Sequence, residues 1–425
     1  MEKVLRPSAL CTRSCPVQKL RCYILKILVA TYGTRGDVQP VIALCLTLQS
    51  AGHDVLLAAP PENRRWITSV GVSFEPLGDS FTAFAERHPD VHSLWSAAPF
   101  LRFFRDQTRI QFRALPALLC GADLAVGCSL SFGLPSAAEF LAVPYRYMLF
   151  CPQVFRSDAY PSLLCRNHRM PAGLNRLSWN VAALADRVAF QPMIDRCRKS
   201  LGLDPLCCGT LEHLLGERPL LAADPVLSPL PGDVKKPVTR IGYPHLAGSD
   251  RLGPSLEAFL AEGPPPVYFG FGSMPYPDRR KIFLQVTAAA RRANMRLVVS
   301  WGREERMDND CYLVGSVDHG RLFPKTAMVI HHGGAGTTTT AARAGVPQIL
   351  IPHILDQFYW ARRIQDMGVG PAPLDRRRLS IQSLAARIRT VAADPRFRRR
   401  ARQMADRMAK SPAFNAPLLM GEAPF

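Results

Sequence analysis

No apolar stretch in this 425-residue chain is long enough to cross a bilayer, which argues against a helical membrane span. The twelve cysteines never form the Cys-x-x-Cys pairs of a zinc site, and Cys207 and Cys208 are adjacent. Their scatter is that of reduced thiols packed as small apolar side chains. Neither Gly-x-Gly-x-x-Gly nor the P-loop Gly-Lys-Ser/Thr appears after a strand, so the usual dinucleotide and triphosphate loops are absent. Acidic residues are scarce, with 34 Asp and Glu against 53 Lys and Arg, a net charge of +19. Such an excess suits an acidic partner or an anionic lipid surface. The densest runs, Arg376-Arg377-Arg378 and Arg396 to Arg402, fall on predicted helices and read first as solvated faces. No recognisable nucleic-acid module accompanies them, so nucleic acid is not an expected partner.

What is present is a soluble, globular composition, 48% hydrophobic and 20% charged, in a chain long enough for two cores. Residues 1–24 carry Arg6, Arg13, Lys19 and Arg21 without a continuous apolar core. They read as a disordered extension and not as a signal peptide, which implies a cytoplasmic protein, with peripheral membrane contact as a further expectation. From Leu25 the chain alternates short apolar runs with helical spacing. Leu25–Thr31, a helix over Val38–Ala51, and His53–Ala59 make a right-handed crossover unit, and runs at 72–74, 123–126 and 146–150 extend it. A Pro-rich stretch, 225–244, reads as a linker. A second alternation follows, with runs at 267–269, 297–299, 312–314, 328–330 and 348–350. The expectation is α/β: two doubly wound, Rossmann-like domains, 25–224 and 245–410, facing a cleft, with a loose tail at 411–425.

The central stretch is His331-His332-Gly333-Gly334-Ala335-Gly336-Thr337, between the apolar run Ala327–Ile330 and a helix that Gly345 stops. A strand that breaks into glycines and opens a helix can hold a phosphate: the backbone approaches closely, unpaired N–H groups point outward, and the dipole favours an anion. His332, at the strand's exit, is placed to reach a second phosphate oxygen. An ordinary turn and capped helix is the plainer alternative. His331 and His332 do not form a metal site, because neighbours on a strand face opposite sides.

The following residues, Gly345-Val346-Pro347-Gln348-Ile349-Leu350-Ile351-Pro352 and then Asp356-Gln357, complete a pattern. It resembles the nucleotide-sugar signature of inverting, family-one-type GT-B glycosyltransferases. The branch it most resembles holds sterol glucosyltransferases and the bacterial enzymes that glycosylate macrolides and glycopeptide antibiotics. The resemblance implies that His332, Gly334, Ala335, Gly336 and Thr337 bind the donor's diphosphate. It implies too that Asp356 and Gln357 hold sugar hydroxyls by carboxylate acceptance and amide donation. Gly272 and Ser273, in Phe271-Gly272-Ser273-Met274, correspond to a further phosphate contact. Gly315-Ser316-Val317-Asp318-His319 corresponds to the nucleobase loop. Ser316 stands where plant members carry a stacking Trp, so backbone contacts at Val317 are expected instead; His319 is either a lining or a packed residue.

Arg35-Gly36-Asp37-Val38-Gln39-Pro40 follows the first strand. Inverting transfer needs a general base beside the acceptor hydroxyl, and a carboxylate on this loop meets that need. Capping the next helix is the competing role for Asp37. In the resembled antibiotic and sterol branch, Asp occupies this Gly-Asp setting, which implies Asp37 as the base. The aromatics of 81–119 lie after strand ends, where open sheets place clefts. The resemblance makes Phe81, Phe84, Trp95 and Phe104 the acceptor pocket, although they could equally cover the sheet. No Asp-x-Asp stands at a strand end, so neither a metal nor a cofactor is expected beyond the UDP- or dTDP-sugar substrate. The expected protein is a monomer or weak dimer acting on a lipophilic acceptor. A nucleotide-sugar epimerase, a transferase acting on a polyprenyl-linked sugar and a non-catalytic sugar-nucleotide-binding helper are the alternatives.

Overall fold

The computed structural model describes residues 24–88, 97–246, 248, 251–272, 278–302 and 304–415. Trp95 and Ser273 lie outside the described residues. The first sheet contains β1 (Lys26–Tyr32), β2 (Asp54–Ala59), β3 (Ser73–Pro76), β4 (Leu124–Ser129), β5 (Tyr145–Leu149), β6 (Leu220–Leu221) and β7 (Thr239–Arg240). Its order is β3-β2-β1-β4-β5-β6-β7, and every pairing is parallel. Parallel strands must be covered on both faces, and β1 shows how. Ile27 and Val29 pack with Val41, Ile42 and Leu48 of the helix Arg35–Ser50. Leu28 and Ala30 pack on the other side, with Leu115 and Leu134.

The second sheet holds β8 (Val267–Gly270), β9 (Leu297–Ser300), β10 (Glu305–Arg306), β11 (Cys311–Val314), β12 (Met328–His331) and β13 (Gln348–Leu350), ordered β10-β11-β9-β8-β12-β13. Only the short edge strand β10 is antiparallel among these pairings. Here too the strand faces alternate: Val267 and Phe269 enter one core, and Tyr268 enters the other. The two doubly wound sheets agree with the expected architecture.

In each sheet the strand order reverses beside the first strand, between β1 and β4 and again between β8 and β12. Such reversals leave a crevice at the carboxyl ends of the strands. The loops bearing Asp37 and His332 both begin there.

The segment 225–244 is not all connector: β7 lies within it, and Ser157 Oγ donates to Asp233 at 2.8 Å. The tail also begins with contacts. Phe414 packs on the first core, and Asn415 N–H donates to the Ile241 carbonyl at 2.9 Å. An apolar cluster joins the two halves, with Tyr160 and Trp179 against Tyr359, Trp360 and Met404. Tyr160 and Tyr359 meet edge to face at 5.8 Å. Cys45, Cys128, Cys151 and Cys311 are buried free thiols. No helix among the described residues is long and apolar enough to cross a membrane.

Ile42 is fully buried between its helix and the first sheet. Ile42→Ala is expected to lower the unfolding free energy by about 2–5 kcal/mol in chemical denaturation, through lost transfer energy and a residual cavity. A change within about 0.5 kcal/mol would show that this interface does not hold the domain.

Candidate active site

Asp37 is the third residue of the helix Arg35–Ser50 and closes a capping box with Thr34. Its Oδ2 accepts from Thr34 N–H at 2.7 Å and from Thr34 Oγ at 2.9 Å, and its Oδ1 accepts from Ser129 Oγ at 2.8 Å. Capping therefore accounts for one carboxylate oxygen, while the other belongs to a contact from β4. Burial raises the Asp37 pKa above the ordinary carboxylate value, and the three hydrogen bonds oppose it. Gly33 makes room for this arrangement: a Cβ there would stand 2.4 Å from Asp37 Oδ2.

Ser129 was not foreseen from the sequence. It ends β4 directly beside Tyr32 of β1, with a left-handed φ of 50° that is uncommon outside glycine. Tyr147 Oη donates to its carbonyl at 2.8 Å and helps hold that conformation. A lone serine at a strand end has no signal by which to find it.

Across the crevice, β12 delivers the two histidines to opposite sides. His331 is buried, with Nε2 2.9 Å from Gln348 Oε1, while its Nδ1 accepts from Gly333 N–H at 3.1 Å. Burial pushes its pKa down to about 3, so it is a neutral pin for the glycine turn. His332 faces the other way. Gly272, at φ 59°, and Gly334 crowd its ring; a Cβ on Gly334 would lie 2.6 Å from Nε2. His332 Nδ1 is buried and has no hydrogen-bond partner among the described residues. Burial lowers its pKa to about 4, so a bound anion would meet a neutral imidazole able to donate one N–H.

The helix Ala335–Arg343 begins at Gly334 without a side-chain cap. Thr338 and Thr340 instead donate back to the carbonyls of Gly334 and Gly336, each at 2.9 Å. The N–H groups at Ala335, Gly336 and Thr337 thus start a helix whose side chains do not close it off. Tyr243, from beyond β7, brings its hydroxyl to this turn: a Cβ on Gly336 would be 2.8 Å from it. Together the histidine, the glycine turn and the helix start form a cradle for an anion.

Asp356 accepts from Trp360 Nε1 at 3.0 Å. Burial raises its pKa to about 6; the Trp360 bond opposes this, and the charge of Asp37 adds to it. Asp356 therefore lies within reach of the Asp37 charge. Gln357 is buried, and its Oε1 accepts from His353 N–H at 2.8 Å and Ile354 N–H at 3.3 Å. Its carbonyl therefore shapes the loop around Asp356. Leu355, at φ 48°, turns the chain sharply just before the pair.

Ser316 accepts from Arg35 Nη2 at 3.3 Å, a contact from the first half of the chain to the second. The same guanidinium lies 4.1 Å over the Trp66 ring. Val317 and Ser316 line a pocket of about 70 Å³ with Leu252, Gly253 and Val314. His319 is a packed residue, stacked on Phe323 at 4.6 Å and bonded to Tyr268 Oη at 2.8 Å. Asp308-Asn309-Asp310 precedes β11, at the strand end away from the crevice, and Asp308 pairs with Arg291. Among the described residues, no group of three His, Cys, Asp or Glu is arranged to hold a metal ion.

The aromatics gather over Tyr32. Phe84 stacks on Phe103 at 4.0 Å, and Phe104 meets Phe132 at 5.1 Å and Phe190 at 5.8 Å. Phe84 and Phe104 are buried, 4% and 9% exposed, so they back the wall instead of lining it. Phe81 is half-buried and meets the Tyr32 ring edge on at 6.4 Å, the same distance at which Phe103 meets it tilted.

Comparison with known proteins gives two matching family models. The Glycosyltransferase family 28 N-terminal domain covers residues 27–154. The C-terminal domain of the Erythromycin biosynthesis protein CIII-like family covers 303–416. Glycosyltransferase GtfE of Amycolatopsis orientalis is 36% identical over 90% of this chain and 93% of its own length. The vancomycin aglycone glucosyltransferase of the same organism is 36% identical over 82% and 86%. The Arabidopsis thaliana sterol 3-beta-glucosyltransferase UGT80B1 is 31% identical over 86% of this chain and 62% of its own length. Among solved structures, the glycosyltransferase of kitacinnamycin superposes with a TM-score of 0.71, covering 94% of this chain and all of that one at 19% identity. Glycosyltransferase VinC in complex with dTDP gives 0.65, covering 93% of this chain and 98% of that one at 21% identity.

His332→Ala is expected to weaken nucleoside diphosphate binding roughly tenfold, the loss of one charge-assisted hydrogen bond, with the melting temperature nearly unchanged. Unchanged affinity by calorimetry in a folded variant would remove His332 from the cradle.

Proposed function

We propose that this chain, which belongs to the GT-B glycosyltransferases related to glycopeptide-antibiotic and sterol enzymes, moves a hexose or deoxyhexose from a UDP- or dTDP-sugar to a hydroxyl of a lipophilic acceptor with inversion. The observation that carries the reading is the opposition of a half-buried, hydrogen-bonded carboxylate to an anion cradle across one crevice. In it, residues 25–224 are the acceptor domain and 245–410 the donor domain.

The donor's diphosphate sits on the N–H groups of Ala335, Gly336 and Thr337, beside His332 and Gly272. Asp356 accepts sugar hydroxyls, and Gln357 fixes its loop. The nucleobase lies along Ser316 and Val317. The acceptor enters by Phe81, where apolar surface adjoins the Asp37 loop. Asp37 takes the proton of the acceptor hydroxyl while that oxygen forms a bond to the anomeric carbon. The bond from that carbon to the diphosphate oxygen breaks, and its electron pair leaves on the β-phosphate. The cradle stabilises that charge without reorganising, in a site poor in water. Its support comes from the uncapped helix, the neutral His332, and relatives named for transfer to an antibiotic aglycone and a sterol.

Because Asp37 must be ionised to act, turnover is lost as pH falls through its pKa. Burial raises that pKa, so the acid limb of the pH–rate profile is expected above the ordinary carboxylate value of about 4. Asp37→Asn keeps an oxygen for Thr34 and an amide that can donate to Ser129, so its melt should barely move. Its rate at saturating substrates should fall by roughly a hundredfold to ten-thousandfold. Near-normal turnover in a normally melting Asn variant would end the catalytic assignment. Turnover should also persist in excess chelator. Complete loss there, restored by magnesium or manganese, would contradict the assignment of leaving-group stabilisation to His332 and the helix start.

A further inference from the structure

We infer that the outer face of the helix Ala172–Ala189 is the surface through which two copies of this chain associate. The helix is firmly seated on its own domain by its inner face. Trp179 is buried and its Nε1 donates to the Tyr160 carbonyl at 3.1 Å. Asn175 donates to the Asp158 carbonyl at 2.9 Å, and Asp186 accepts from Thr210 N–H at 2.7 Å.

The outer face is apolar, the reverse of an ordinary surface helix. Leu174, Leu177, Val181, Leu184 and Val188 are 49%, 54%, 58%, 64% and 70% exposed. Their spacing is three, four, three and four, the 3.5-residue repeat of a helix that packs against another helix along a seam. Trp179 then falls opposite the seam, as the inner face requires. The two central pairs carry Leu at one seam position and Val at the other, a combination that favours two strands when β-branched residues alternate with leucine.

The neighbouring residues decide the occupant. One border of the seam is Ser178, Ala185 and Ala189, small enough for close approach. The other carries Gly173, Asn180 and Arg187. Arg176 is engaged by Asp158. A lipid surface would be served by basic residues along both borders; here they stand on one side only, as Arg187 and as Arg156, which donates to Asn180. The stripe spans about 21 Å of helix and presents on the order of 500 Å² of apolar surface, near the upper end for a lone monomer. Two such stripes face to face would bury about 1,000 Å², the threshold for a specific interface. Self-association through one patch closes as an isologous dimer.

The test is sedimentation of the full chain from about 1 to 100 μM. A dimer that dissociates on dilution is expected. The Leu177→Glu/Leu184→Glu variant should sediment as a monomer throughout, with an unchanged melt. If that variant fails to fold, Leu184→Gln should weaken dimerisation at least tenfold. Leu284→Glu, at an exposed leucine on another helix, should leave the dimer intact. A wild-type monomer at every concentration overturns the inference. So does a dimer that survives the Leu177/Leu184 changes, or one that Leu284→Glu alone abolishes. A monomer that floats with vesicles of phosphatidylglycerol and phosphatidylcholine would give the stripe to lipid and overturn it as well.

Discussion

The arrangement turns on a half-buried carboxylate held by hydrogen bonds at the edge of the crevice. Asp37 has three hydrogen-bond donors, two from Thr34 and one from Ser129, and each favours its ionised form. Burial works against them, and its larger effect leaves a more basic carboxylate than an exposed aspartate. Such a group accepts a proton better than an ordinary carboxylate does once it is ionised. The parallel strands β1 and β4 place it, since Tyr32 and Ser129 are register partners at the crevice edge. Gly33 leaves the space. Small changes around this carboxylate therefore act on its chemistry as well as on the helix it caps.

The facing half offers donors to an anion. The diphosphate of the proposed reading needs donors without a competing internal partner, and the second sheet has candidates for them. One histidine is spent on structure, bound to Gln348 and Gly333, and holds the glycine turn. The other has a buried nitrogen without a protein partner among the described residues. The helix beyond them starts uncapped, with its threonines turned back on their own carbonyls. Asp356 adds a second carboxylate in reach of Asp37's field, which raises its pKa further. Arg35 bridges the halves through Ser316 and opens the same helix as Asp37, so the Asp37 carboxylate and the Ser316–Val317 region are mechanically linked.

The strands of both sheets were legible because buried parallel strands read as short apolar runs between glycines and prolines. The glycine turn stands out in the sequence by its own residue types, whereas Asp37 and Asp356 become candidates only through the family resemblance. The very short strands β6, β7 and β10 escaped, since two residues make no pattern. Ser129, Tyr243 and the Arg35–Ser316 bridge escaped because tertiary contacts place them, between residues far apart in the chain. The aromatics were readable only as a group. Sequence could not separate Phe84 and Phe104, packed behind the wall, from Phe81 at its edge. The resemblance makes Gln357 a sugar ligand through its amide N–H groups, and the structure adds that its carbonyl accepts from the backbone at His353 and Ile354.

A base facing a leaving diphosphate across one crevice implies a single displacement at the anomeric carbon. The direct test is the anomeric configuration of the product, read by NMR after a defined UDP- or dTDP-sugar has reacted with a sterol or polyketide aglycone. The account predicts a glycoside whose anomeric configuration is opposite to that of the donor. A product that retains the donor's configuration would contradict it.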